Sequence, residues 1–355
     1  MRRNLSLRLL FLPLVLFLSV VFGSPETPPE QQPLLETLHW VRSTPRTMLQ
    51  YDNIMTVRLH LLFFWAGKDD VGSGYIRRGV SSENARQEFF QVLFGSDPEK
   101  APRAINRWGA GTEVAWHKDP VSAQARADDI VASSFFGFMK SSRGKSVSEM
   151  QQELKKEREK GEHSFTGMLS RVEPSRAVSM IVPMQSETDY NLHQYDLAEP
   201  IMFKRIGVSG GPVKSLQDPA RCPGANGFMA TVADLMDSAL RVQQGSVSRC
   251  YIHDAQENTL TLEKVSPVAN LSVQLRGPKN ATLLDTSYRD LLELDFVSEH
   301  KETGKKVYFT IFVGAQGQQR GIPVQIRYQP NWWFQVVLNL RPEKKPQPLS
   351  TLAAR

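Results

Sequence analysis

A few serine, histidine and carboxylate residues are the positions at which this chain could carry chemistry. The stretch GVSGG at 207–211 matches G-x-S-x-G, a pattern that places a nucleophilic serine on a sharp turn between a strand and a helix. Pro212 follows, however, and the next residues, VKSLQDPARCPG, lack the apolar period of a helix. We therefore favour a glycine-rich turn and keep a serine hydrolase at Ser209 as an alternative hypothesis.

The other reactive side chains form no recognisable catalytic or metal-binding pattern. None of the seven histidines occurs as H-E-x-x-H or at metal spacing from a cysteine. Glu293 and Asp295 lie two apart on one strand face and could act as acid and base, but a solvated face explains them better. No glycine loop resembles a nucleotide-binding fingerprint. We predict no metal and no cofactor, and we favour a protein that is not an enzyme.

The N-terminus has the layout of a secretory signal peptide. Residues 1–8 contain three arginines, residues 9–22 are apolar, and small residues follow at 23 and 24. As a helix the apolar run would span roughly 21 Å, which is short of a bilayer core of about 30 Å. We predict a cleaved signal over 1–23, a proline-rich leader over 24–35 and no membrane span afterwards. The expected location is the periplasm or the cell exterior.

Charge and cysteine content narrow the class of protein further. Removal of the three signal arginines would leave 40 of the 43 basic residues against 37 acidic ones, which gives no argument for nucleic acid binding. Two cysteines in an exported protein favour one disulfide, Cys222–Cys250, over two free buried thiols. Closing that loop would stabilise the fold by about 3 kcal/mol.

The chain is predicted to form one large β-rich domain over 36–342, with a helical insertion at about 80–162 and a polar tail over 343–355. A strand is expected over 54–65, with Phe63 and Trp65 on its apolar face. The stretch AGKDDVGSG predicts a turn and YIRRGV a return strand. Residues 81–94 are expected to be a helix, and 121–140 a helix or a helix followed by a strand.

Two helices and one hairpin have clear signals at their ends. Ser146 and Glu149 fit a capping box, which predicts a charged surface helix over 146–160. A hairpin is expected to turn at 173–175. Residues 227–243 predict an amphipathic helix whose buried face contains Phe228, Val232, Leu235, Ala239 and Val242.

The C-terminal part indicates a meander of seven strands: 249–254, 259–265, 270–276, 288–299, 306–313, 321–328 and 332–340. The predicted fold class is α+β, mainly antiparallel β, with a curled meander sheet that forms a barrel or half-barrel and a few packed or peripheral helices. For the last hairpin we expect a loop of three or five residues that pairs Ile326 with Phe334. Trp332 then joins Tyr328 on the apolar face, and Trp333 lies opposite Arg327.

Three stretches resemble an exported bacterial family of unknown function with β-barrel-like domains. They are FFWAGKDDVGSGYIRRG, then DLMDSALRVQQG with SRCYIHD, and the ending VYFTIFVGAQGQQRGIPVQIRYQPNWWFQVVLNL. The resemblance implies a fold and a compartment and offers no catalytic residues to carry over.

These features predict an exported, non-enzymatic protein that binds an apolar or lipid-like ligand or acts in envelope assembly. The predicted ligand-binding residues are Phe63, Trp65, Tyr328 and Trp332, and the predicted partner surface is formed by Arg327 and Trp333. The alternative is a structural interaction module, in which the charged helix 146–160 or an exposed strand edge meets an envelope protein.

Overall fold

The computed structural model describes residues 34, 48–61, 64–81, 84–97, 100–101, 107–122, 127–141, 147–160, 163–186, 205–206, 213–217, 222, 224–242, 246–277, 281–331 and 334–341 of the chain. The strands within these residues are β1 Met48–Leu61, β2 Phe64–Val80, β3 Gln87–Ser96, β4 Arg107–His117, β5 Ile130–Ser141, β6 His163–Glu173, β7 Arg176–Ser186, β8 Arg205–Ile206, β9 Lys214–Gln217, β10 Val247–His253, β11 Gln256–Arg276, β12 Thr282–His300, β13 Lys306–Gly314, β14 Pro323–Asn331 and β15 Phe334–Leu340. The helices are α1 Val147–Lys160 and α2 Phe228–Val242, with short 3-10 turns at Ala127–Asp129 and Gly317–Gln319.

The strands form one antiparallel sheet in the order β10-β11-β12-β13-β14-β15-β1-β2-β3-β4-β5-β6-β7-β8, and β9 also pairs with β7. Strand β15 pairs with β1 from Phe334↔Leu59 to Leu340↔Asn53, which joins the two ends of the chain in a single sheet. The prediction of a mainly antiparallel, curled meander is confirmed. Strand pairing does not close this sheet into a ring within the described residues.

The curl of the sheet is evident from the elements that α2 contacts. The helix packs on β10, β11 and β12 and also on β4, which lies far from them in the strand order. The Ser179 hydroxyl of β7 donates to Asp254 Oδ1 in the β10–β11 turn at 2.6 Å, and Lys214 of β9 pairs with the same carboxylate. Because opposite ends of the sheet contact one another, the sheet must curl around α2.

Helix α2 fills part of the concave side of the sheet. Leu235 and Ala239 are almost fully buried against Leu260, Leu294 and other aliphatic side chains of β11, β12 and β13. Burial of one such leucine stabilises the fold by roughly 1.5–3 kcal/mol. The predicted helix over 227–243 is confirmed, but its expected buried residue Val242 is 60 % exposed because the helix ends there.

Three further predictions are confirmed. The charged helix corresponds to α1, and the β6–β7 hairpin turns where expected, since Glu173 pairs with Arg176. Cys222 and Cys250 form a disulfide with a Cα–Cα distance of 5.1 Å, so the segment that leads into α2 is tied to β10.

The helix predicted over 81–94 is wrong, because β3 occupies most of it. Both faces of β3 are buried, since the neighbouring residues Phe89, Phe90 and Gln91, and also Leu93, are almost fully buried. A strand covered on both faces does not alternate between apolar and polar residues, so the period that identifies strands is missing. Much of the predicted helical insertion at 80–162 is therefore sheet: β3, β4 and β5, with only α1 as an α-helix among the described residues of this segment. Within 121–140, the strand is β5.

The glycine-rich stretch 66–74, predicted as a turn, lies inside β2. A Cβ at Gly72 or Gly74 would approach carbonyl oxygens of β3 to about 2 Å, so these glycines permit close strand packing. Asp70 adopts a positive φ of 53° where the β1–β2 register shifts. The predicted strand over 54–65 is also wrong at its end, since β1 stops at Leu61 and Trp65 pairs with His60 from the next strand.

Two predictions for the C-terminal meander are wrong in detail. The strands expected at 259–265 and 270–276 are one strand, β11, whose register shifts at Leu262–Lys264 absorb an irregularity without breaking the ladder. In the last hairpin Ile326 pairs with Leu338 rather than with Phe334. The chain reverses after Asn331, which pairs with Phe334, and a register shift between Tyr328 and Asn331 keeps Ile326 and Leu338 on one face.

Candidate functional site

A cationic groove of about 410 Å³ lies beside the second half of β11. Its lining residues are Arg58, Leu271, Ser272, Val273, Gln274, Leu275, Gln325, Arg327 and Asn339. Strand β10 pairs with β11 only as far as Leu262, and β12 covers the other edge. Within the described part of the chain, the outer edge of β11 beyond that point therefore has no strand partner.

The far end of the β11–β12 hairpin is held over β15, β1 and β2. The backbone N–H of Arg276 donates to Asp69 Oδ2 of β2 at 2.9 Å. The Tyr288 hydroxyl of β12 donates to the Leu340 carbonyl of β15 at 2.9 Å. Ile54 of β1 belongs to the same apolar cluster as Leu275. These contacts place the edge of β11 opposite a sheet face that carries polar side chains.

Arg327 is fixed in the groove by its neighbours. Its Nε donates to Gln325 Oε1 at 2.7 Å, and Gln325 Nε2 donates to Asn339 Oδ1 at 2.7 Å. The guanidinium lies over the Phe312 ring at 4.4 Å from the centroid. Gln325, Asn339 and Phe312 are each 2–3 % exposed, so the support beneath Arg327 is buried. The guanidinium is therefore oriented before any ligand arrives.

The charge in this groove is largely uncompensated at close range. Among the described residues, no carboxylate lies within 4 Å of the guanidinium of Arg58 or Arg327. Burial and the nearby Arg58 lower the pKa of Arg327, while Glu293 and Asp295 act in the opposite direction. Two neighbouring guanidiniums with free donors can bind a carboxylate or a phosphate through paired hydrogen bonds.

A second polar cluster, the α2 junction, lies beneath helix α2. Arg78 of β2 binds Glu88 of β3 at 2.9 Å and Asp237 of α2 at 2.8 Å, and His117 Nε2 lies 3.1 Å from Glu88 Oε2. Burial would raise the pKa of Glu88, but hydrogen bonds from His117 and Arg78 outweigh burial and lower it. Arg78, Glu88 and Asp237 pair with one another and hold α2 on the sheet, whereas His117 Nδ1 is buried without a hydrogen-bond partner among the described residues.

Glu113 of β4 completes the α2 junction at the N-terminus of α2. Its carboxylate accepts hydrogen bonds from the backbone N–H groups of Met229 at 2.8 Å and Ala230 at 3.0 Å. Burial raises the pKa of Glu113 to about 7, with a smaller contribution from Glu88 and opposition from the two N–H donors. A buried carboxyl that titrates near neutrality is unusual outside functional sites.

Of the predicted ligand-binding and partner-surface residues, Tyr328 and Arg327 have described side chains. Phe63, Trp332, Trp333 and Ser209 lie outside the described residues, as does the side chain of Trp65. Tyr328 is 40 % exposed and points away from the groove face that carries Arg327. Arg327 lies over Phe312 and pairs with Val337 on β15, so the prediction that Trp333 lies opposite Arg327 is wrong.

Sequence reasoning missed Arg58, Gln325 and Asn339 as groove residues. The signal that was present is the run of polar side chains at alternate positions of two strands, Gln325 and Arg327 on β14 and Asn339 on β15. Only Arg327 of this run was assigned to a site, the predicted partner surface with Trp333. The curl that brings β11 across this face has no local sequence signal.

Comparison with known proteins gives a weak structural similarity. No family model matches the chain, and no curated protein matches it. A solved structure, that of a β-barrel-like protein of the domain of unknown function DUF1849 from Brucella abortus, is similar at 9 % sequence identity and a TM-score of 0.41. The similarity covers 84 % of this chain and 97 % of that chain. The weak, partial resemblance to a β-barrel-like family of unknown function is thus confirmed.

None of the helices in the described residues is long and apolar enough to cross a bilayer.

Proposed function

We propose that this protein is an exported binding protein rather than an enzyme, and that its ligand is a lipid-like molecule with an anionic head group. The observation that carries the proposal is the pair of guanidiniums of Arg58 and Arg327, which line one groove without a described carboxylate within 4 Å. In this proposal the head group is a carboxylate or a phosphate that replaces the missing counter-charge.

The contacts that orient the Arg327 guanidinium support recognition of such a head group. Its Nε donates to Gln325 and its guanidinium lies over the Phe312 ring. In the proposal, the N–H donors of the two terminal guanidinium nitrogens bind the head group. A pre-oriented donor loses little side-chain freedom when a ligand binds, which favours affinity.

The lipid-like part of the ligand is proposed from the apolar side of the groove. Leu271, Val273 and Leu275 line it together with Ser272 and Gln274. Val273 and Leu275 are almost fully buried in an apolar cluster, so an acyl chain that leaves the head-group site would run along β11 past the half-buried Leu271. We regard the curled sheet as a half-barrel whose open side presents this groove.

Export is proposed from two features. The N-terminal sequence has the three regions of a secretory signal peptide. The disulfide between Cys222 and Cys250 is typical of proteins that fold in an oxidising compartment such as the periplasm. Service in the cell envelope fits both features.

Calorimetric titration with soluble probes below their micelle concentrations tests the ligand class. The probes are dodecyl phosphate, dodecanoate, neutral dodecyl maltoside and inorganic phosphate. We expect both anionic amphiphiles to bind more tightly than the maltoside, since loss of a charge-assisted hydrogen bond costs roughly 1.5–3 kcal/mol, or about 10- to 150-fold in affinity. Equal binding of the maltoside would overturn the head-group proposal.

Matched variants locate the site. Arg58→Gln and Arg327→Gln should each weaken dodecyl phosphate binding at least tenfold, whereas Arg86→Gln removes the same charge from an exposed turn residue and should change little. Unchanged binding in both groove variants would show that the site lies elsewhere. If inorganic phosphate binds as tightly as dodecyl phosphate, the anion site stands and the lipid-like ligand is rejected.

A structural interaction module is the second candidate, and the unpaired edge of β11 favours it. Extended peptides bind such edges by adding a strand. A photo-crosslinking residue placed at Ser272, with one at exposed Lys118 as the control, separates the two candidates in expressing cells. A single protein adduct specific to position 272 would favour the module, and adducts with lipid would favour the binding protein.

A further inference from the structure

The far half of the β11–β12 hairpin leaves the main sheet as a two-stranded arm. Within the described residues, β12 pairs with β13 from Leu291 to Glu299, and β10 pairs with β11 only as far as Leu262. The segments 270–276 and 282–289 therefore pair with each other and with no other described strand. We call these two segments the β11–β12 arm. A ribbon of two strands is at best marginally stable in water unless one face packs on another element.

The backbone bends at the base of the arm. Asp290 has a positive φ of 54°, and it directly precedes Leu291, where the pairing with β13 begins. The Asp290 carbonyl accepts the Ala315 N–H at 2.8 Å, so the sheet holds one side of this bend. The ladder between β11 and β12 omits the pair Ala269↔Asp290 at the same level. Terminal positions of an element that adopt unusual backbone angles can act as hinges.

The arm docks on the sheet through one of its two faces. The docked face is apolar and packs on Ile54, Phe312 and Val324 through the arm residues Val273, Leu275, Leu284 and Tyr288. The Arg276 N–H and the Tyr288 hydroxyl add hydrogen bonds to Asp69 and to the Leu340 carbonyl. The other face is polar and exposed, with Asn270, Ser272, Gln274, Asp285, Ser287 and Arg289. The arm is thus an amphipathic ribbon that is attached at the bend and docked through one face.

The cationic groove has one wall on the arm and one on the main sheet. Residues 271–275 line it from the arm, whereas β1, β14 and β15 supply Arg58, Gln325, Arg327 and Asn339. The groove therefore has this form only while the arm is docked. A ligand that contacts both walls binds the docked arm more tightly than the open arm, so its binding shifts the arm towards the docked state.

We propose that the β11–β12 arm is a hinged flap that opens as one unit at Asp290 and closes on the anionic ligand of the cationic groove. Opening separates the two walls and gives a head group access to Arg58 and Arg327. The apolar contacts of the arm belong to one cluster and those of α2 to another, so the arm opens while α2 stays packed. Closure on an anion rests on the proposed function, whereas opening of the free protein does not.

Native-state amide hydrogen exchange on the full protein tests the opening. The amides of 283–289 should exchange together and roughly tenfold or more faster than those of 292–297 on the same strand, which keep β13 as a second partner. Tyr288→Phe removes the hydroxyl that binds the Leu340 carbonyl and should lower protection of the arm roughly 2- to 10-fold. Tyr308→Phe, at a tyrosine of β13 that is 50 % exposed, is the matched control and should leave it unchanged. Equal protection of the two segments in the unmodified protein would overturn the flap.

The same measurement with dodecyl phosphate at about 100 times its dissociation constant tests the closure. If this probe binds only the docked arm, protection of 283–289 should rise about 100-fold. Binding that calorimetry detects without a rise in protection would overturn the flap and leave the proposed function intact. If calorimetry detects no binding of dodecyl phosphate or dodecanoate, the proposed function fails, and closure of the arm on an anion fails with it.

Discussion

The α2 junction and the cationic groove use arginines in opposite ways. In the junction Arg78 binds Glu88 and Asp237, and elsewhere along α2 Arg249 binds Asp234. In the groove Arg58 and Arg327 have no carboxylate within 4 Å among the described residues. Charges that pair with one another stabilise the fold. Charges without an oppositely charged group at close range are candidates for binding a charged ligand.

The difference also lies in what each region contributes to stability. The junction attaches the one described helix that packs inside the curl, so its loss would expose the apolar faces of β10 to β13. The groove sits at an unpaired strand edge beside a second apolar cluster, which includes Val273, Leu275 and Phe312, but its two arginines are not members of that cluster. Substitutions in the junction should therefore affect folding first, and those in the groove should affect binding first.

Leu235→Ala gives the largest expected effect and breaks the junction side of the comparison. Leu235 is fully buried in the cluster beneath α2, so the cavity should lower the free energy of unfolding by about 2–5 kcal/mol. Urea denaturation measures the change. Val242→Ala, at a helix position that is 60 % exposed, should change it by less than about 0.5 kcal/mol. Equal losses in the two variants would mean that α2 is not packed as described.

Replacing both Cys222 and Cys250 by Ala should lower the free energy of unfolding by about 3 kcal/mol, because the disulfide closes a loop of sequence separation 28. The bond lies at the junction, so affinity of the folded protein for an anionic probe should stay within about twofold. Denaturant titration and calorimetry together check both statements. A large loss of affinity at full folding would show that the two regions are coupled.

The pH dependence of stability isolates one residue of the junction. A raised pKa means that the native state keeps a proton on Glu113 that the unfolded chain has already released, so this stabilisation is full below pH 4.5 and is lost as pH rises through about 7. The full loss should amount to about 3 kcal/mol. Burial lowers the pKa of His253, so below about pH 6.5 the unfolded chain binds a proton there that the native state does not. This group therefore reduces stability as the pH falls, opposite to Glu113.

The measurable quantity is therefore the difference in free energy of unfolding between the unmodified protein and Glu113→Gln at each pH, because His253 contributes equally to both. This difference should shift by about 2 kcal/mol from pH 5 to pH 8 in the direction that favours the variant at high pH. A difference that is constant with pH would remove Glu113 as a titrating group.

Local signals in the sequence sufficed for elements whose ends are marked by particular residues. The capping box at Ser146 and Glu149, the turn at 173–175 and the spacing of Leu235 and Ala239 each predicted an element that the structure contains. These signals act within a few residues of the chain. The antiparallel meander followed from the spacing of the turns.

The missed features depend on contacts between distant residues. Strand β3 resembled a helix because its faces are both covered, and only tertiary packing covers them. Arg58, Arg327 and Asn339 come from three strands, and the edge of β11 reaches them because the sheet curls. Uncompensated charge at Arg58 and Arg327 cannot be recognised until it is known which carboxylates lie nearby.

Replacing one arginine by glutamine in each region compares the two regions most directly, and it has the smallest expected effect on the free energy of unfolding. Arg78→Gln removes the partner of Glu88 and Asp237 and should cost about 2 kcal/mol of unfolding free energy, less than for a fully buried pair because the Arg78 side chain is 40 % exposed. Arg327→Gln loses the contact with Phe312, worth about 0.5–1 kcal/mol, but relieves repulsion from Arg58. Its net cost should be under about 1 kcal/mol. Thermal and urea unfolding of the two variants side by side measures this difference. If Arg327→Gln lost more free energy of unfolding than Arg78→Gln, the assignment of folding to the junction and binding to the groove would be reversed.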